Sequence, residues 1–136
     1  MAIDPVVALS RVSLFEGIEP KALEQLSRQF RERTFAGGTA VTREGEPGVG
    51  FFVIAAGSAR VDIGGDTKAS LGPGDAFGEM ALIDDGPRSA TVVAETELRC
   101  LALTPWDFKS FVEDTPTVAW AMLQALARRL RAREAD

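Results

Sequence analysis

Phe77-Gly78-Glu79-Met80-Ala81-Leu82-Ile83-Asp84-Asp85-Gly86-Pro87-Arg88-Ser89-Ala90-Thr91-Val92 passes from a glycine through a short apolar segment to a proline, then into a β-branched run. Gly78 opens a short helical turn over about 79–83, Asp-Gly-Pro ends it, and a strand begins near Ser89. The start of such a turn offers backbone N–H groups and a positive dipole end, which favour an anion. A glycine there lets the backbone come close to a ligand. Arg88 adds a planar fork of donors suited to two phosphate oxygens at once. Glu79 only accepts hydrogen bonds, so it suits a hydroxyl rather than a phosphate. An anion site beside an acceptor describes a sugar phosphate with a free hydroxyl.

The flanking sequence gives this segment its setting. Of the 13 glycines, all but Gly17 lie between Gly37 and Gly86, marking a turn-rich middle between two glycine-poor ends. Ala59, Val61 and Ile63 alternate with Arg60 and Asp62, the period of a half-buried strand, and Gly64-Gly65 follows as a hairpin signal. Phe51 to Ala56 is a continuous apolar run of strand length, and Thr91-Val92-Val93 and Leu98 to Leu103 add two more strands. Short strands separated by glycine turns predict a sandwich, jelly roll or small barrel.

The ends read as helices. Asp4-Pro5, Glu19-Pro20, Thr104-Pro105 and Thr115-Pro116 each place proline at a first helical position, which tolerates it. Thr104 and Asp107 resemble a capping box with Asp in place of Glu. Leu23, Leu26 and Phe30 share one helical face, and Val118, Met122, Leu126 and Leu130 form a stripe on the last helix. The expected order is helices over about 5–33, a β body over about 34–104 with a short helix at 78–83, and helices over about 105–134. At 136 residues this is one domain.

Composition excludes several chemistries. There is no histidine, no tyrosine and a single cysteine, Cys100. Triads built on histidine, His-ligated metals and thiolate zinc clusters are therefore absent, and the chain reads as a non-enzyme. A net charge of -5 disfavours direct grip on nucleic acid. The first residues, MAIDPVVALS, lack a basic start and a sustained apolar run. No stretch approaches the roughly 18 apolar residues of a membrane span, so the default location is the cytoplasm.

The segment from Phe77 to Thr91 resembles the phosphate-binding cassette of cyclic-nucleotide-binding domains, found in catabolite activator proteins, regulatory subunits of cAMP-dependent protein kinase and cyclic-nucleotide-gated channels. Nearly the whole chain shares the resemblance. Leu14-Phe15, Arg43-Glu44-Gly45-Glu46-Pro47-Gly48, Phe51-Phe52-Val53-Ile54 with Gly57, and Leu71-Gly72-Pro73-Gly74-Asp75 are similar to the family's landmarks. The resemblance implies a mainly β fold: a double-stranded β-helix (jelly-roll) barrel with N-terminal and C-terminal helices.

It also implies a ligand site made of Gly78, Glu79, Met80, Ala81, Arg88, Ser89, Ala90 and Thr91. Glu79 would accept from the ribose 2′-OH, with Gly78 and Ala81 placing backbone around the sugar phosphate. Arg88 would pair with the cyclic phosphate, helped by Ser89 and by the Ala90 backbone. Thr91 would sit near the base or the pocket wall. The last helix would cap the base with Leu123, Leu126 or Leu130. The ligand the resemblance implies is cAMP, with cGMP left open by the Ser89 hydroxyl, and no cofactor or metal is implied.

The implied role is a regulatory sensor whose terminal helices repack and signal to an effector protein or fused domain, with a homodimer possible. Two alternatives stand beside it: the ligand-binding part of a catabolite-activator-type transcription regulator, and a ligand-free docking or oligomerisation domain. The transcription-regulator alternative needs a helix-turn-helix after the last helix, which is not expected within the residues up to Asp136 and which a longer chain would restore. Elsewhere the plainer readings hold. Cys100 reads as a buried strand residue, Trp106 and Trp120 as core or helix-packing residues, and Asp84-Asp85 as a solvated turn. Arg128, Arg129, Arg131 and Arg133 read as complements to a helix dipole.

Overall fold

The computed structural model describes residues 4–47, 50–84 and 86–135. Asp85, expected in a solvated turn, and Gly48, which ends the Arg43–Gly48 motif, lie outside the described residues. Among the described residues the chain forms four α-helices, two short 3-10 turns and eight strands. The N-terminal helices are α1 (Pro5–Ser10) and α2 (Pro20–Ser27), with a 3-10 turn at Ser13–Phe15 between them. The strands are β1 (Arg31–Phe35), β2 (Ala40–Thr42), β3 (Phe51–Ala56), β4 (Ala59–Ile63), β5 (Asp66–Leu71), β6 (Ala76–Phe77), β7 (Thr91–Ala94) and β8 (Leu98–Leu103). A 3-10 turn at Glu79–Leu82 separates β6 from β7, and α3 (Pro105–Asp114) and α4 (Pro116–Ala135) follow β8.

Proline is the first residue of all four helices, as the dipeptides predict. Asp4 caps α1 by accepting from the Val6 N–H at 2.9 Å, and Thr104 caps α3 by accepting from the Asp107 N–H at 3.2 Å. The helical reading of 5–33 runs too far. The chain leaves α2 after Ser27 and enters β1 at Arg31, where charged residues keep a mostly exposed strand from announcing itself by alternation.

The strands make two antiparallel four-stranded sheets, ordered β1-β8-β3-β6 and β2-β7-β4-β5. These sheets face one another and do not close into a hydrogen-bonded barrel. Strand β3 explains its own unbroken apolar run. Phe51 and Val53 face the helices, joining Leu9, Leu14, Phe15, Leu26 and Phe108, while Phe52 and Ile54 join the inter-sheet core of Ala59, Val92, Ala94, Leu98 and Cys100. A strand buried on both faces has no polar side to show. The hairpin between β4 and β5 turns on Gly64 and Gly65, with φ of 61° and 88°, the left-handed pair of a tight hairpin turn.

In α4, Val118, Ala121, Met122 and Ala125 are buried. Trp106 and Trp120, expected as core or helix-packing residues, are 62% and 64% exposed and so not in the core. Each lies off the stripe its helix turns inward: Phe108 leads that stripe in α3, and Val118 and Met122 lead it in α4. Leu130 is also exposed at 59%, near the end of α4.

Candidate functional site

The site begins with Gly78, which ends β6 and starts the 3-10 turn at φ 89°, a left-handed conformation. Two constraints meet at this residue. A side chain there would be strained in the backbone, and its Cβ would overlap the Arg88 Nη1 and lie 2.8 Å from the Gly50 carbonyl oxygen. Glycine is therefore what allows the Arg88 guanidinium to lie against the backbone. The Ala81 N–H donates to the Gly78 carbonyl at 3.1 Å, so the turn closes on itself and commits that donor within the protein.

Arg88 is anchored by backbone on both sides. Its N–H donates to the Glu46 carbonyl at 2.8 Å, and its own carbonyl accepts from the Gly45 N–H at 2.8 Å. Its side chain turns inward, where Nη2 donates to the Gly50 carbonyl. Nε is buried without a hydrogen-bond partner among the described residues. Burial pushes the guanidinium below its ordinary pKa, and the charge of Glu79 opposes that shift. The two expected ligand groups are thus electrostatic neighbours. An unpartnered N–H on a half-buried cation is a donor waiting for an acceptor.

Gly78, Glu79, Met80, Ala81, Arg88, Ser89 and Ala90 converge on one cavity of about 380 Å³. Thr91 does not line it. Its hydroxyl accepts from the Glu44 N–H at 2.9 Å, so it ties β7 to the loop after β2. Asp84 reaches the cavity edge, yet its Oδ1 accepts from the Gly86 N–H at 3.0 Å and closes the local turn. The rest of the wall is apolar: Val61, Phe77 and Val92, with the hydroxyl of Thr42 among them. Phe77 and Val92 bound the motif stretch, whereas Thr42 and Val61 carry no motif, and only the strand pairing that places them beside Val92 reveals them.

The expected cap residues lie elsewhere. Leu123 and Leu126 line a separate groove of about 710 Å³, between the 3-10 turn and helices α3 and α4, together with Trp106, Phe108 and Val112. What α4 brings to the cavity rim is Arg129, whose Nη1 lies 4.0 Å from the Met80 Sδ. Arg128 pairs with Glu16 at 3.0 Å. Two of the arginines read as dipole complements thus tether α4 to the body. Cys100 is buried on β8, and burial pushes its thiol up to about 11.

The family model for the cyclic nucleotide-binding domain matches residues 32–115. Among curated relatives, the CRP-like cAMP-activated global transcriptional regulator of Mycobacterium tuberculosis is 34% identical over 128 residues, covering 90% of this chain and 57% of the regulator. A cyclic nucleotide-gated potassium channel of Mesorhizobium japonicum is 40% identical over 111 residues, covering 82% of this chain and 31% of the channel. The chain therefore spans little more than half of the regulator and less than a third of the channel. Among solved structures, the N-terminal domain of a transcriptional regulator from Streptomyces coelicolor superposes with a TM-score of 0.83 at 34% identity, covering 93% of this chain and 94% of that one. By family match, sequence and fold together, this chain belongs to the cyclic nucleotide-binding domain family.

Proposed function

We propose that the chain binds cAMP in the 380 Å³ cavity, and that binding repacks the terminal helices and so signals to a partner protein or fused domain. One observation carries this reading: the buried, unpartnered Arg88 Nε beside Glu79, in a cavity bounded by the Gly78–Ala81 backbone. A cyclic phosphate supplies the acceptor that Nε lacks, and a ribose hydroxyl supplies a donor for Glu79. The volume suits one small ligand. With no histidine in the chain, this is a site for holding a ligand unchanged.

The route outward from the site runs through the 3-10 turn. Its Leu82 is buried with Phe108, Val118 and Met122, so a shift of the turn moves the packing of α3 and α4. Arg129 on Met80 is a second contact that ligand entry disturbs. Only a difference in ligand affinity between the two helix arrangements drives such a change. The test is displacement of a fluorescent cyclic nucleotide by cAMP and by cGMP. Displacement by cAMP at lower concentration supports the proposal, preference for cGMP reassigns the ligand, and no displacement at millimolar concentrations of either overturns it.

A second reading concerns context. The similarity to transcription regulators from Mycobacterium tuberculosis and Streptomyces coelicolor favours a ligand-binding unit that works beside a DNA-binding domain. This predicts that cAMP changes DNA affinity only in a chain that carries such a domain.

A further inference from the structure

Thr42 is the only buried polar side chain among the described residues, at 8% exposure. Strand pairing places Thr42 opposite Val92, and Val92 opposite Val61, making a single row across β2, β7 and β4. Cross-strand partners point to the same face, and all three residues line the 380 Å³ cavity. Valine and threonine fill nearly equal space, so the row differs from a plain valine wall by one hydroxyl. That hydroxyl is poorly used by the protein: Oγ1 donates to the Ala90 carbonyl at 3.4 Å, beyond the usual range for such a bond. A buried hydroxyl so weakly satisfied retains hydrogen-bonding capacity on the cavity side.

We infer that Thr42 is a specificity-determining residue that hydrogen-bonds the base of the bound cyclic nucleotide. The inference rests on the proposed function and deepens it. Glu79, Arg88 and the Gly78–Ala81 backbone provide groups for the sugar and phosphate. The Thr42–Val92–Val61 row provides a flat apolar surface for a purine, with one polar atom set into it. An apolar wall selects poorly among purines of similar size, whereas a wall with a hydrogen-bonding atom distinguishes bases by the groups they present.

The test compares wild type, T42V and T42S for binding of cAMP, cGMP and the cyclic phosphate of unsubstituted purine riboside, with thermal melting as a fold check. In T42V the affinity for cAMP should fall roughly 3- to 10-fold, the worth of one net hydrogen bond. The ratios among the three nucleotides should change with it, while T42S keeps the wild-type ratios. Unchanged affinity in T42V overturns the inference, and so does an equal loss for all three nucleotides, which would mark a purely structural role. If wild type binds cAMP in these measurements, either failure leaves the proposed function standing. If wild type binds no cyclic nucleotide, both fall together.

Discussion

Arg88 and Gly78 are a matched pair: the guanidinium occupies the space that any side chain at position 78 would need. Replacing Arg88 with alanine should cost roughly 2–5 kcal/mol of cAMP binding, the usual loss when one member of a buried charged pair is removed. A loss below about 0.5 kcal/mol, within the range of a screened surface contact, would place Arg88 outside the site. Gly78→Ala should be as damaging by another route. It combines a left-handed backbone with a clash, so destabilisation on the order of 2 kcal/mol is expected in denaturant melts. A variant as stable as wild type would show that the turn relaxes freely. Cys100 gives a pH prediction. Its folded pKa of about 11 lies above the ordinary 9.0, so the folded thiol stays protonated where the unfolded one ionises. Its contribution to stability is complete below about pH 9 and is lost on the order of 2 kcal/mol as the pH rises towards 11. Cys100→Ser should flatten that part of the stability profile, and an unchanged slope would assign it to other groups.

At the scale of elements, chain punctuation was legible and strand edges were not. Proline at the first helical position predicted all four helix starts, because that backbone preference is local. Strands β3, β4, β7 and β8 showed through apolar runs or alternation, since each contributes to a buried face. Strand β5 was marked only by the Gly64-Gly65 hairpin signal before it: Asp66-Thr67-Lys68-Ala69-Ser70 is exposed throughout and is held as a strand by pairing with β4. The first three residues of strand β1 were taken for helix for the same reason, since Arg31-Glu32-Arg33-Thr34 is exposed and pairs with distant β8. The capping element is testable. Thr104→Ala removes the acceptor for the Asp107 N–H and should destabilise the fold by about 1 kcal/mol in chemical denaturation. No change would mean that packing of Phe108 alone holds the start of α3.

For the whole molecule, two sheets and two helical ends surround a cavity, and most of the residues singled out in one continuous motif line it. The cassette residues were readable because they are contiguous and their residue types are chemically distinctive. The remainder of the wall was not, because Thr42 and Val61 come from two other strands and join Val92 only through sheet register. Thr91 is a different case: the motif suggested a place near the base or the pocket wall, and in the fold its hydroxyl accepts from the Glu44 backbone and it is not among the residues lining the cavity. The exposed tryptophans had a related cause, since they were read as core or helix-packing residues without a register to place them. Leu82 of the 3-10 turn is buried with Phe108, Val118 and Met122; on the proposed function, a ligand that binds the folded chain should also raise thermal stability by mass action. The most direct measurement is isothermal titration of the protein with cAMP, run beside Arg88→Ala. The account predicts saturable 1:1 binding to wild type and a large loss in the variant; no heat up to millimolar cAMP, or equal binding by both proteins, would contradict it.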